Sequence, residues 1–290
     1  MDFDPAERNS AQDLAARALE EDLDGDGDIT SLALIPGSLK GQGIFIARAP
    51  GTISGLPAAN VTYQLIDPQV TFVELVPDGA DVQAGAKLAI VSGSMRSILS
   101  GERTALNFLQ RLSGIATLTR CYVGAVADLP CKILDTRKTT PGWRLLEKYA
   151  VRCGGGTNHR MGLSDAILIK DNHLAALGPR PDTIAEAVKR ARDNYGDRFP
   201  LEIEVDNLTQ LDQALQAEPD IILLDNMPPD HMREAVRRRN GVAPGVILEA
   251  SGGVTLAKVR TIAETGVERI SVGALTHSAV ALDIALDYLP

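Results

Sequence analysis

The chain has 290 residues, and its 38 acidic against 29 basic side chains give a formal net charge of −9. That balance argues against a general polyanion-binding role and removes nucleic acid from the expected partners. With 44% apolar and 23% charged residues the composition is that of a globular protein, not a disordered one. Trp143, five Tyr and five Phe are the only aromatic residues, so Ala, Val, Leu and Ile must build the core, as in parallel α/β packing. Cys121, Cys131 and Cys153 form an odd set without a C-x-x-C pair, which fits reduced thiols and not a disulfide framework or zinc knuckle. The acidic start MDFDPAERNSAQDL is unlike a signal peptide, and no stretch reaches about 18 apolar residues. A cytoplasmic protein with no membrane partner is expected.

In chain order, residues 10–23 carry Leu14, Ala15, Ala18 and Leu19 at helical spacing behind Ser10 as the expected N-cap. DLDGDGDITS ends that helix. Its Asp22, Asp24, Asp26 and Gly27 imitate a calcium loop, but Ala33 stands at the twelfth position, where a bidentate Glu is required. From about 40 to 92, GIFIARA, GTISG, VTFVELV and KLAIVSG read as short strands around a helical PAANVTYQLI, together a small α+β domain. DGADVQAGAKLAIVSG has the rhythm of a biotinyl or lipoyl carrier hairpin. It lacks the central lysine, having only Lys87 beyond the turn, so a plain hairpin is expected. Residues 95–127 are helical with an apolar face through Ile98, Leu99, Leu106, Leu109, Leu112 and Ile115, and Gly114 is expected to divide the stretch in two.

Beyond it a strand–helix unit repeats. The expected strands are CKILDT, AILIK, LEIEV, IILLD, GVILEA and RISVG; the helices include WRLLEKYAV, TIAEAVKRARDNY, LTQLDQALQA, PDHMREAVRRR and TLAKVRTIAET. Six such strands predict a parallel sheet closed or nearly closed into a barrel, two short of the usual eight. A doubly wound open sheet is the structural alternative, weakened by the lack of a G-x-G-x-x-G after any strand.

In a parallel barrel the chemistry projects from the C-terminal strand ends. Arg137 and Lys138 follow the first strand, then His159 and Arg160, then Lys170. Glu204, Asp225, Ser251, Gly252, Gly253 and Gly273 complete the ring. Between Arg137 and Lys170 seven Lys/Arg stand against Glu147 and Asp165. Arg144, Lys148 and Arg152 of that group are expected on a solvated helix face. Cations at a strand end need a partner, and arginine suits a carboxylate or phosphate, so a ligand with several negative groups is implied. Glu204 and Asp225 could bind Mg²⁺, accept from sugar hydroxyls or stabilise cationic charge, each with a plain salt bridge as the alternative. SGG at 251–253 and GAL at 273–275 lie where such barrels bind phosphate. A phosphorylated sugar beside a polyanionic substrate suggests glycosyl or phosphoribosyl transfer.

SGERTALNFLQRLSGIAT, DTRKTTPGWRLLEKYAVRCGGGTNHRMGL, IKDNH, EVDN, LLDNM, EASGGV, SVGALTHS and GDITS together resemble the quinolinate phosphoribosyltransferases. The resemblance implies transfer of phosphoribosyl from 5-phosphoribosyl-1-pyrophosphate (PRPP) to quinolinate with Mg²⁺ and decarboxylation. The products would be nicotinate mononucleotide, pyrophosphate and CO₂, in NAD synthesis. It also implies an N-terminal α/β sandwich over residues 1–115 and an incomplete, about six-stranded parallel α/β barrel over 116–275, with a C-terminal helix at 276–290 packing on the former. The family forms at least dimers. By the same resemblance Arg137, His159, Arg160 and Lys170 hold the quinolinate carboxylates, with Thr136 beside them. Lys138 faces pyrophosphate, and Arg103 is donated into a neighbouring subunit's site. Glu204 and Asp225 lie near ribose and metal. Ser251, Gly252, Gly253, Gly273 and Ala274 take the 5-phosphate, with His277 nearby. Lys138, Lys170, Glu204 and Asp225 are the expected catalytic residues. The alternatives are a related phosphoribosyltransferase for another base, a Schiff-base aldolase using Lys138 or Lys170, and a binding protein built on the carrier-like hairpin.

Overall fold

The computed structural model describes residues 1–178 and 182–289. Helix α1 (Pro5–Leu23) starts earlier than Ser10, because Asp4 and Glu7 form a reciprocal capping box around Pro5. Asp28 then caps the short α2 (Ile29–Leu34) by accepting from the Ser31 N–H at 3.0 Å. Strands β1 (Lys40–Ala47) and β2 (Gly51–Thr52) lead to α3 (Leu56–Ile66), followed by β3 (Thr71–Glu74), β4 (Asp81–Val82) and β5 (Lys87–Ser94). The expected hairpin does not form: β4 pairs with β2, whereas β5 lies between β1 and β3.

Helix α4 (Met95–Ala125) runs unbroken through Gly114. The glycine is there for space: a Cβ at 114 would strike the Val280 carbonyl, so packing and not helix termination explains it. Next come β6 (Lys132–Leu134), α5 (Arg144–Cys153), β7 (Ile167–Ile169), α6 (Asp171–Leu177) and α7 (Thr183–Tyr195). The rest alternates: β8 (Leu201–Val205), α8 (Leu208–Ala217), β9 (Ile221–Asp225), α9 (Pro229–Val242), β10 (Ile247–Ser251), α10 (Leu256–Ala263) and β11 (Arg269–Ser271). After α11 (Ala274–His277) the chain ends in β12 (Ile284–Leu289). The expected C-terminal helix over 276–290 is therefore mostly wrong in type. The segment completes a sheet by antiparallel pairing with β1, and long-range pairing overrides its helix-compatible sequence. Pro290 lies outside the described residues.

The chain divides into two compact units. The first contains Met1–Arg120, Lys138–Gly156 and the segment from Leu275 onward; the second contains Cys121–Arg137 and Thr157–Ala274. The division therefore differs from a single boundary near residue 115, because α5 and β12 return to the first unit. Its four-stranded sheet, β12-β1-β5-β3, packs Phe45, Leu88 and Val91 against α3 and α4 residues such as Tyr63, Ile98 and Leu109. Helix α5 is embedded in this unit. Lys148 is fully buried and Arg152 donates to buried Glu7 at 2.6 Å, so these cations are not a solvated face. Glu147, also fully buried, accepts from Arg111 at 2.7 Å and from the Thr140 hydroxyl at 2.8 Å.

Among the described residues the second unit holds one six-stranded parallel sheet in the order β6-β11-β10-β9-β8-β7. Neighbours from β7 to β11 follow chain order without reversal, which is the winding of a barrel. A doubly wound sheet would reverse at a switch point. Among the described residues no strand pairing joins β6 to β7, which leaves the six-stranded barrel incomplete, as expected.

Candidate active site in the six-stranded sheet

Alternate residues of a strand share one face. In β8, Leu201, Ile203 and Val205 are buried apolar residues, and Glu202 and Glu204 point to the other face. The register continues that face: Glu204 lies beside Leu223, Leu223 beside Glu249, Glu249 beside Arg269, and Asp225 beside Ser251. Ordinary parallel barrels fill this surface with branched apolar side chains. Here it carries Glu202, Glu204, Asp225, Glu249, Ser251 and Arg269, a polar floor suited to chemistry.

Thr136 and Arg137 leave the end of β6. The Arg137 Nε is buried without a hydrogen-bond partner among the described residues. Arg160 belongs to the loop beyond the Leu134–Thr157 bridge and donates to the Ala166 carbonyl at 3.2 Å. Burial holds its pKa below the usual arginine range, and the like charge of Arg137 adds to the effect. Two neighbouring guanidiniums with spare, desolvated donors are a strong anion receptor, because each presents a planar pair of N–H groups to a carboxylate. Lys170, after β7, donates to Glu204 at 2.5 Å. Asp225 at the end of β9 accepts from the Asn226 side-chain amide at 2.8 Å.

His159 is held on all sides. Fully buried Asp135 accepts from its backbone N–H at 2.9 Å and from the Asn158 side chain at 2.6 Å, so the β6 exit fixes the NHR loop. The ring Nδ1 accepts from the Arg160 N–H at 2.7 Å. Its Nε2 lies 3.1 Å from Glu202 Oε2 and 3.3 Å from Glu249 Oε1. Strands β8 and β10 are separated by β9, so in a flat sheet their side chains would stand roughly 10 Å apart; convergence on one nitrogen requires the sheet to curl. Burial alone would lower the His159 pKa, whereas the contact with Glu202 and the charges of Glu202 and Glu249 raise it. The Arg160 N–H at Nδ1 works against a second ring proton, because a doubly protonated ring has no lone pair to accept it, and the ring so placed carries its proton on Nε2. Burial likewise raises the Glu202 carboxyl, against the hydrogen bond from His159.

Glu202 and Glu249 were missed in the sequence. The available signal was LEIEV itself, where period two puts Glu202 on the face of Glu204, and the acid within GVILEA. Together with His159 their donor atoms lie within 4.8 Å of one another, a grouping that could enclose a divalent ion. With Nδ1 occupied by an amide donor, however, the Nε2 must carry the ring's proton, which leaves it no lone pair for a metal.

The loops after β10 and β11 are built on close approach. Gly252 and Gly253 have φ of +90° and +58°, and Asn226, at φ +53°, donates its N–H to the Ser251 carbonyl at 2.9 Å. A Cβ on Gly252 would collide with the Asn226 side chain. LLDN and SGG are therefore one packed feature. Gly273 follows Val272, whose N–H donates to Leu134 at 2.8 Å, and Ala274 ends the second unit. That unit brings together Thr136, Arg137, His159, Arg160, Lys170, Glu204, Asp225, Ser251, Gly252, Gly253, Gly273 and Ala274. Lys138, His277 and Arg103 belong to the first unit. There the Lys138 carbonyl accepts from Thr276 at 2.8 Å, His277 Nδ1 lies 2.7 Å from the Ser278 hydroxyl, and Arg103 is exposed on α4.

Residues 28–113 match the family described as quinolinate phosphoribosyl transferase, N-terminal domain, and residues 115–287 match its C-terminal domain. The nicotinate-nucleotide pyrophosphorylase [carboxylating] of Mycobacterium leprae is 46% identical over 283 residues, covering 97% of this chain and 98% of that protein. The solved nicotinate-nucleotide pyrophosphorylase of Francisella tularensis superposes with a TM-score of 0.90 at 40% identity, over 97% of each chain. That of Ehrlichia chaffeensis gives 0.89 at 37% identity, over 96% of this chain and 98% of the other. Matched across both domains, with a polar barrel floor beneath paired arginines, the chain belongs to the quinolinate phosphoribosyltransferase family.

Proposed function

We propose that the protein transfers the phosphoribosyl group of PRPP to the ring nitrogen of quinolinate, with loss of the 2-carboxylate, giving nicotinate mononucleotide, pyrophosphate and CO₂ for NAD synthesis. The observation that carries this reading is the Arg137–Arg160 neighbourhood, whose buried Arg137 Nε, without a hydrogen-bond partner among the described residues, calls for an anionic ligand. Family membership and relatives named for this reaction support it.

Arg137 and Arg160 bind the two base carboxylates, with Lys170 adding charge and Thr136 lining the approach. His159 keeps Arg160 in place through the amide contact at Nδ1. Departure of pyrophosphate leaves cationic charge at the anomeric carbon, and Glu204 and Asp225, from adjacent strands β8 and β9, stabilise it electrostatically. By family likeness Lys138 answers to the leaving pyrophosphate and His277 to the 5-phosphate. Ser251, Gly252, Gly253, Gly273 and Ala274 hold the 5-phosphate on backbone donors. Once the ring nitrogen is alkylated, its positive charge stabilises the electron pair left in the in-plane orbital of C2 as the C2–carboxylate bond breaks and CO₂ leaves, and C2 then takes up a proton from water.

Glu204 and Asp225 fit Mg²⁺ in donor chemistry: both are partly exposed carboxylates on neighbouring strands, leaving room for water and phosphate oxygens. When bound there, Mg²⁺ would neutralise pyrophosphate charge. We further propose a homodimer or larger homo-oligomer in the cytoplasm, with exposed Arg103 completing a neighbouring subunit's site. No helix among the described residues is long and apolar enough to cross a membrane.

The test is product formation by purified protein with PRPP and Mg²⁺, given quinolinate in one reaction and nicotinate in another. Nicotinate mononucleotide from quinolinate alone, with equal CO₂, is expected. Product from nicotinate alone, or from neither base, would overturn the reading.

A further inference from the structure

We propose that Glu202 and Glu249 are positioning residues of the base site: they anchor the His159 imidazole from beneath, and the imidazole in turn fixes the Arg160 backbone beside Arg137, setting the spacing a dicarboxylate requires. The inference rests on the assignment of this site to quinolinate.

A stability role alone does not account for these two acids. Glu249 is fully buried and Glu202 nearly so. Neither Glu249 oxygen has a hydrogen-bond partner of good geometry among the described residues, nor does Glu202 Oε1. Carboxylates so placed destabilise a fold unless their charge is put to use, and apolar residues would fill the same positions at less cost. Their surroundings show one use. Glu202 Oε2 and Glu249 Oε1 approach a single atom, His159 Nε2, from β8 and β10. The opposite ring nitrogen accepts from the Arg160 N–H. The imidazole therefore acts as a strut between the barrel floor and the loop carrying the guanidinium.

The charged groups around the strut are few. Glu202 faces it from β8 and Glu249 from β10. Asp135, after β6, holds its backbone, Arg160 adjoins it, and Arg269 of β11 faces Glu202. The Glu202 charge also acts on Arg160, where it opposes the repulsion from Arg137. The two acids thus hold the loop, and Glu202 also offsets the mutual repulsion of two arginines kept close for a doubly charged base. A displacement of about 1 Å at such a receptor costs up to 100-fold in turnover efficiency, so anchoring matters at this distance from the reacting atoms.

The experiment compares Glu202→Gln and Glu249→Gln, which keep size and an acceptor oxygen, with Glu249→Leu, which keeps neither. Steady-state kinetics with quinolinate and PRPP are expected to show KM for quinolinate raised tenfold or more in each Gln variant. KM for PRPP should stay within twofold, and the Leu variant should be worse than Gln. Equal rises in both KM values, or no rise in either, would overturn the proposal. A second measurement needs no variant at Glu202 or Glu249. The ¹⁵N–¹H long-range spectrum of histidine-labelled protein, assigned by the signals lost in His159→Asn, is expected to show His159 protonated at Nε2. An Nε2 without a proton would overturn the strut. An unmodified enzyme that makes no product from quinolinate would instead refute the assignment of the site, so the two failures are distinguishable.

Discussion

Lys170 donates to Glu204 at 2.5 Å across the ends of β7 and β8. Under the proposed function the pair joins the half of the site assigned to the base to the half assigned to the ribose. The Lys170 side chain is 45% exposed, so the contact adds little to fold stability. Under the proposed function its effect falls on turnover. Lys170→Met is expected to lower kcat/KM for quinolinate by about 2 kcal/mol, and a double-mutant cycle with Glu204→Gln should give a coupling of about 1 kcal/mol, measured by initial rates. Strict additivity would place the two residues in independent roles.

Arg137→Ala should cost about 2 kcal/mol or more in kcat/KM for quinolinate, the scale of a lost charge-assisted bidentate contact. Arg137→Lys should recover little of it, because an ammonium lacks the planar fork. Unchanged kinetics in both variants would remove Arg137 from the site.

Gly114→Ala tests a sign. In an exposed helix interior the change stabilises by about 1 kcal/mol. In α4 the added Cβ meets the Val280 carbonyl, which is backbone and cannot swing aside. A destabilisation of about 2 kcal/mol is expected in urea denaturation.

Arg111→Met leaves buried Glu147 without its cation, although the Thr140 hydroxyl and N–H still donate to it. Breaking such a pair one-sidedly destabilises by about 3 kcal/mol. The lowered urea midpoint should be partly restored by Glu147→Gln in the same chain, since a neutral amide needs no countercharge.

Local pattern determined much of this protein. Short, nearly continuous apolar runs located all six strands of the parallel sheet, and period-3.6 spacing most of its helices. Because parallel strands share one direction, the residues at or just beyond the C-terminal end of each strand, Arg137, Lys170, Glu204, Asp225 and Ser251 among them, had to share one end of the sheet. The mixed motifs DTRKT, NHR and LLDN carried the family likeness for the same reason: each is short and continuous. Tertiary structure alone decided what depends on distant segments meeting. β12 became a strand because the edge of β1 was there to pair with it. Gly114 stayed helical because its missing Cβ makes room for Val280. Glu202 and Glu249, unremarkable acids within apolar strands, became the floor of the site only when curvature brought β8 and β10 to the same imidazole nitrogen. Periodicity reports which face a side chain occupies; which atoms converge on that face is fixed by how the sheet curls.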